Sequence, residues 1–296
     1  MPESEILTLR ASAKLNLFLE VREKRADGFH ELETVMLRTN LCDTITFAVA
    51  PAGQLSLHQA DTSSHAVPVD DSNLILRAAN ALLAERSEQP EQPERCGAHI
   101  TIDKQIPLQA GLAGGSSNAA TALVGLNQLW NLNLSRAVLH RIAASLGSDI
   151  NFFLEDCTAA ICRGRGELVT PIPVGDEFHF VAARPASGNA TPEVFSELCL
   201  PTTIHRSDNV VAALRAGSAT DLTAAIFNRL TQPASELNPQ MVQLMQQMQQ
   251  ISKRPVFMSG SGSTCFVVCA TAADAANMLT KFHPLDAVFL SKLTTA

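Results

Sequence analysis

Residues 107–117 read PLQAGLAGGSS, with Gly111, Gly114 and Gly115 set ahead of the adjacent hydroxyls Ser116 and Ser117. A loop that wraps a polyphosphate must turn successive backbone N–H groups toward oxygen. A Cβ would block that approach or forbid the dihedrals it needs. The apolar-periodic stretch that follows predicts a helix, whose positive end would face the same anion. No Lys follows in a GxxxxGK[ST] pattern and no GxGxxG is present, so this is neither a Walker A loop nor a dinucleotide fingerprint. A plain glycine turn into a helix is the bland alternative. A second cluster, Gly260 and Gly262 in MSGSGSTCF, reads first as a hairpin turn whose hydroxyls Ser259, Ser261, Ser263 and Thr264 could flank a ligand. Lys14 and Asn16 share one face of an alternating segment, either as its solvated side or as chemistry. Asp149, between Gly147-Ser148 and the apolar INFFL, is either a helix N-cap or a functional carboxylate.

The elements that must hold these residues follow from periodicity. AKLNLFLEV (13–21), DTITFAVA (43–50), QLSLHQ (54–59) and AHITIDKQI (98–106) read as strands, the first with Leu15, Leu17 and Leu19 on one buried face. Asp71 or Ser72 could cap a helix through NLILRAANALLAER, and SEQPEQPER (87–95) reads as a solvated loop. The helix after the glycine loop carries the stripe Ala119, Leu123, Leu126 and Trp130. Another, SRAVLHRIAASLG, is framed by Ser135 and Gly147. Beyond about residue 165 the pattern restarts. EFHFVAARP reads as a strand, 238–252 as a Met-rich helix packing through Met241, Met245 and Met248, and 256–270 as strand, glycine turn, strand.

Composition bounds the function. The chain has 296 residues, 46% of them apolar and 17% charged, enough for two domains with buried cores. A net charge of −7 and a pI near 5.6 argue against nucleic acid as partner. No apolar run is long enough to span a membrane, and the N-terminus does not read as a signal peptide. The seven cysteines are odd in number and form no CxxC; they read as small buried apolar residues in a reducing compartment, so a cytoplasmic protein is expected. The eight histidines lack ligand spacing, and no metal site of the protein's own is expected. Gly260-Ser261-Gly262 lacks the strand-to-helix context that a hydrolase's GxSxG nucleophile elbow needs.

Together these residues resemble the GHMP kinase superfamily. The likeness rests on ASAKLNLFLEVREKRADGFHELETVM (11–36), DSNLI (71–75), DKQIPLQAGLAGGSSNAA (103–120), LGSDINFFL (146–154), GRGE (164–167), TPEVF (191–195) and SGSGST (259–264). AKLNLFL followed by RADGFH, with GGSSNAA, points to the branch whose alcohol substrate carries a cytidyl diphosphate. The resemblance implies an α+β, two-domain fold. Residues 1–164 would form a ribosomal-S5-like α/β domain with the ATP loop, and 165–296 a ferredoxin-like α+β domain completing the substrate cleft.

It further implies transfer of the ATP γ-phosphate, with Mg²⁺ arriving on the nucleotide, to the 2-hydroxyl of a diphosphocytidyl-methylerythritol in non-mevalonate isoprenoid synthesis. Lys14 and Asp149 fall on the catalytic pair. Pro107, Leu108, Gln109, Ala110, Gly111, Leu112, Ala113, Gly114, Gly115, Ser116 and Ser117 form the ATP loop, and Asn73 and Lys104 lie near the adenine. Asn16 contacts substrate, Phe29 and Phe195 sandwich the cytosine, and His30 reads that base's edge. The partner is then a small-molecule cytidyl diphosphate, with no nucleic acid and no membrane, and a monomer or weak homodimer is expected. Three positions depart from the family pattern. Asn151 stands where Pro is usual, Phe29 where Tyr is usual, and Asn228-Arg229-Leu230 replaces NDL. Two alternatives stay open: another alcohol such as homoserine or phosphomevalonate, or a nucleotide-binding protein without turnover.

Overall fold

A computed structural model describes residues 6–87, 96–200, 202–283, 285, 287 and 289–296. The chain divides into two compact units, neither of them one continuous stretch. The first takes Met1–Ala13, Leu41–Ile106 and Ala113–Asp156; the second takes Lys14–Asn40, Pro107–Leu112 and Cys157–Ala296. Two long strands, β1 (Ile6–Lys24) and β2 (His30–Val49), carry the chain from one unit to the other. The loop expected at 87–95 falls, over 88–95, outside the described residues.

The first unit adds β3 (Leu55–Gln59), α1 (Leu74–Ser87), β4 (Ala98–Asp103), α2 (Gly114–Leu129), α3 (Arg136–Leu146) and α4 (Ile150–Leu154). β4 lies between β3, parallel to it, and the second half of β2, antiparallel to it; Ile100 pairs with Leu57 on one side and Phe47 on the other. Alternation in β4 buries Ala98, Ile100 and Ile102. α2 packs on this sheet at Gly125, where a Cβ would come 2.6 Å from the Phe47 ring. Its stripe is buried as expected, and Trp130 ends the helix with its indole N–H donating to the Gly97 carbonyl at 3.1 Å. Ser135 caps α3, and Gly147 ends it in extended rather than left-handed backbone. The cap of α1 is neither Asp71 nor Ser72: Asn73 Oδ1 accepts from the Ile75 N–H at 2.9 Å, while Asp70 takes the Ser72 N–H.

The second unit adds β5 (Ala159–Gly164), β6 (Leu168–Ile172), β7 (His179–Arg184), α5 (Thr191–Ser196), α6 (Asp208–Ala216), α7 (Ala219–Ala225) and β8 (Phe227–Asn228). It continues with α8 (Thr231–Leu237), α9 (Pro239–Ser252), β9 (Phe257–Met258), β10 (Cys265–Cys269), α10 (Ala272–Phe282) and β11 (Phe289–Thr294). β5 joins the first half of β2 to β6, and β8 runs parallel to β1 at Phe18 and Leu19. A separate antiparallel sheet runs β11-β7-β10-β9. With α9 and α10 this is the β-α-β-β-α-β ferredoxin-like arrangement, α5 to α8 being inserted after its first strand. Val181, Ala183, Cys265, Val267 and Cys269 alternate onto the helix-covered face against Met241, Leu244 and Met248 of α9 and Met278 and Phe282 of α10. The methionine stripe is core, as its spacing predicts.

Two expectations are corrected. β1 does not have one wet face: everything from Ala11 to Val21 is buried, and Lys14 and Asn16 are each 2% exposed. A strand covered on both sides loses the alternation that the sequence suggests, because its polar side chains are buried with partners. Nor are all seven cysteines buried. Cys96, Cys162, Cys265 and Cys269 are, whereas Cys42 and Cys157 are half-buried and Cys199, in the stretch after α5, is exposed. No disulfide joins any of them among the described residues.

The NDL departure is absorbed inside the second unit. Arg229 forks onto Glu20 with two hydrogen bonds of 2.7 Å, and the Glu20 side chain is wholly buried. Burial alone would raise the Glu20 carboxyl. Hydrogen bonds from Arg229, His205 N–H and Val21 N–H, together with the Arg229 charge, hold it below the ordinary carboxylate value. Arg229→Ala would strand that charge, and urea denaturation near pH 7 should show a loss of about 3 kcal/mol, the low end for a broken buried pair because the arginine side is partly exposed. Because the folded value is depressed, the pair's contribution is full above the unfolded value of 4.5 and fades as pH falls through the folded value. Wild-type and variant stabilities should therefore converge in acid.

Candidate active site

Along the chain, Pro107–Leu112 count with the second unit and residues from Ala113 onward with the first. In the second unit, Gln109 and Gly111 have positive φ of 50° and 72°; at the start of the first unit's share, Ala113 has 55°. Left-handed residues at alternate positions bend a chain into the concave shape that anions occupy. The loop carbonyls are tied back. Ala110 O accepts from the Thr264 N–H at 3.2 Å and Leu112 O from the Lys14 N–H at 3.1 Å. Gly111 O accepts from Lys14 Nζ at 2.6 Å and Ser259 Oγ at 2.9 Å. None of the N–H groups from Leu108 to Ala113 donates to a protein acceptor among the described residues. The loop thus spends its acceptors on the protein and keeps its donors for something else. Gly114 and Gly115 are not in the loop proper: they open α2, and Ser116 and Ser117 lie in its first turn.

Lys14 is fixed within its own unit. Its ammonium donates to Asn16 Oδ1 and to Gly111 O, and Asn16 Nδ2 donates to Thr34 Oγ1 at 2.8 Å. Thr34 in turn donates to the Phe18 carbonyl at 2.6 Å, while the Asn16 N–H donates to Ser259 Oγ at 3.2 Å. The second glycine cluster is the hairpin its sequence suggests, between β9 and β10, and it also packs on the first. A Cβ at Gly111 would stand 2.0 Å from Ser259 O, and one at Gly260 would stand 3.2 Å from Lys14 Nζ. Asn228 Nδ2 clamps that hairpin through Met258 O at 2.9 Å and Gly260 O at 2.8 Å.

In the first unit, Lys104 is buried in an ion pair with Asp43, which also accepts from Asn118 Nδ2 at 2.7 Å and from the Gln105 and Ile106 N–H groups at 2.8 Å. Burial pulls the Lys104 ammonium below its ordinary value, and Asp43 opposes that shift. A Cβ at Gly114 would lie 2.7 Å from Lys104 Nζ, so the pair braces the first residue of α2. Asn73, besides capping α1, donates to the Pro68 carbonyl at 2.6 Å. Asp149 heads α4 without capping it through its side chain. Asn151, in place of the usual Pro, leaves α4 helical and buried. Its amide donates to the His140 carbonyl at 3.1 Å and stands 3.0 Å from His140 Nδ1, tying α4 to α3. His140 Nε2 meets Glu155 at 3.0 Å.

The aromatic residues belong to the second unit. Arg25, Asp27 and Gly28 (φ 86°) build the turn that presents Phe29, which is 49% exposed with the Arg165 guanidinium 4.7 Å from its ring centroid. His30 stacks on Phe195 at 5.0 Å and 27°. Burial, helped by the charge of Lys24, lowers the His30 imidazole below its ordinary value. A neutral ring offers one donor and one acceptor to a base edge.

Sequence reasoning gave no role to Asp43, Thr34 or Asn228. Asp43 had a readable signal, an acidic residue opening one strand with a lysine just beyond the end of another. Thr34 and Asn228 had none, because each matters only for a partner far away in the chain. Among the described residues, no group of three or more His, Cys, Asp or Glu side chains gathers as a metal site, and no helix is long and apolar enough to cross a membrane.

A loop with unspent N–H groups beside a fixed lysine ammonium is suited to an anion, and comparison with known proteins gives the class of the chain. Residues 73–164 match the family described as GHMP kinases N terminal domain, and residues 210–284 match GHMP kinases C terminal. The chain is therefore an ATP-dependent small-molecule kinase of the GHMP type. A relative from Rhodococcus jostii (strain RHA1), named 4-diphosphocytidyl-2-C-methyl-D-erythritol kinase, is 40% identical over 276 residues, covering 91% of this chain and 86% of its own. A crystal structure of 4-(cytidine 5'-diphospho)-2C-methyl-D-erythritol kinase aligns with TM-score 0.77 and 30% identity over 98% of this chain and all of that one. A homoserine kinase from Cytophaga hutchinsonii, at TM-score 0.70 and 16% identity over 100% and 96% of the two chains, shares the fold. The chain belongs to the 4-diphosphocytidyl-2-C-methyl-D-erythritol kinase family.

Gly111→Ala should be the most damaging single-methyl change in the loop. It combines a left-handed φ with a 2.0 Å approach to the Ser259 carbonyl. Steady-state assays should show at least a tenfold rise in KM for ATP, and thermal melting a drop consistent with about 2 kcal/mol or more.

Proposed function

We propose that the protein transfers the γ-phosphate of ATP to the 2-hydroxyl of 4-diphosphocytidyl-2-C-methyl-D-erythritol, in the non-mevalonate route to isoprenoids. One observation carries the reading: the Lys14 ammonium is held on the carbonyl of Gly111, inside a loop whose N–H groups are unspent. Pro107 to Ser117 would hold the phosphates, with Asn73 and Lys104 on the adenine side. Mg²⁺ entering with the nucleotide would offset phosphate charge, and the Ser116 and Ser117 hydroxyls are hard oxygen donors suited to it. Asp149 would accept the proton of the 2-hydroxyl, and Lys14 would offset charge on the moving phosphoryl group. Asn16 would orient both the lysine and the substrate.

Phe29 and Phe195 would bind the cytosine through its faces and His30 would read its edge. The His30–Phe195 stack supports this, since a ring seated there can exchange one aromatic contact for another. We place the domain boundary at 164/165. The scattered, odd-numbered cysteines favour the cytoplasm, and a monomer or weak homodimer suffices for the reaction.

An ADP-release assay with Mg-ATP should give turnover on the cytidyl substrate and none on homoserine, mevalonate or phosphomevalonate; turnover on another alcohol instead would remove the cytosine reading. Asp149→Asn should lower kcat by about 10²–10⁴, and a folded variant keeping more than about a third of wild-type kcat would show that Asp149 is not the base. Phe195→Ala should raise KM for the cytidyl substrate far more than KM for ATP.

A further inference from the structure

Among the described residues, one cation beside the loop has no partner. Arg184, the last residue of β7, is half-buried, and its Nε is a buried nitrogen without a hydrogen-bond partner. Among the described residues no carboxylate pairs with it and no side-chain hydrogen bond reaches it, whereas Arg22, Arg25, Arg163, Arg229 and Arg254 all sit on carboxylates. Its place is specific. A Cβ at Gly188 would stand 3.3 Å from Arg184 Nη2 and 3.1 Å from Gln109 Oε1, so the guanidinium and the left-handed Gln109 of the glycine loop converge on one point. The segment after Gly188 is tied to the second glycine turn, Asn189 Nδ2 donating to Ser261 O at 2.7 Å and Thr191 lying 2.8 Å from Ser261 Oγ.

We infer that Arg184 is a phosphate-binding residue whose counter-ion is supplied by a ligand, either a phosphate of the nucleotide or the diphosphate of the acceptor. A guanidinium taken partly out of water without an anion is costly. Here burial depresses Arg184 and no neighbouring charge opposes it. That cost is recovered when an oxyanion arrives, and a planar fork of donors suits phosphate oxygens. The glycine at 188 keeps the approach open. The inference rests on the phosphate-loop reading of 107–117.

Arg184→Gln in the full-length enzyme tests it. KM for Mg-ATP or for the cytidyl substrate should rise roughly tenfold or more. The melting temperature without ligand should hold or rise, since an unpaired charge has gone, while the rise in melting temperature on adding that ligand shrinks. Arg184→Lys, which keeps the charge, should lose less. A change confined to ATP assigns the nucleotide's phosphate, and one confined to the cytidyl substrate assigns the acceptor's diphosphate. Both KM values staying within about twofold of wild type, or a fall in unliganded melting temperature with unchanged ligand shifts, would overturn the assignment. Wild-type enzyme that binds no Mg-ATP would instead overturn the phosphate-loop reading, so the two failures are separable.

Discussion

The carbonyl of Gly111 is the constraint on which the rest of the second unit's site depends. It accepts from Lys14 Nζ and from Ser259 Oγ, and so joins a strand near the start of the chain, a loop in its middle and a hairpin near its end. A peptide unit has one acceptor and one donor on opposite sides. Turning the acceptor toward Lys14 turns its amide partner outward, and the left-handed dihedrals at Gln109, Gly111 and Ala113 allow the chain to follow. Holding the lysine and opening the donors are thus one geometric act.

Around it, two buried charges are neutralised within their own units. Asp43 neutralises Lys104 beneath the first residue of α2, which keeps that helix end in place. Glu20 takes up Arg229, so a charge reversal that looks functional in sequence is settled inside the unit. Against this background an arginine without an anion stands out. Ionisable groups perturbed by burial cluster where a ligand makes use of them.

The departures from the family pattern divide by what surrounds them. Phe29 stands on a turn built by Arg25, Asp27 and Gly28, with the Arg165 guanidinium on its face, a contact that needs the ring and not a phenol. Asn151 gives α4 something proline lacks, an amide that binds His140 on the neighbouring helix. One position is altered without loss of its geometry, and the other gains a tie.

Much of this was legible in the sequence, and for local reasons. Glycines ahead of paired hydroxyls and a small-residue helix marked out the loop at 107–113 and the start of α2, and period-2 and period-3.6 patterns located β3, β4, α2, α3 and α9, because each depends on neighbours within a few residues. The α+β class and the kinase family followed from motifs in order along the chain. Tertiary structure alone decided the rest. It buried both faces of β1, assigned the α1 cap to Asn73, left one cysteine exposed and two half-buried, and set Thr34, Asn228 and Ser259 to work on residues 16 to 243 positions away. Burial and hydrogen-bond partnership are properties of neighbours in space, and a linear pattern records them only when those neighbours are also close along the chain.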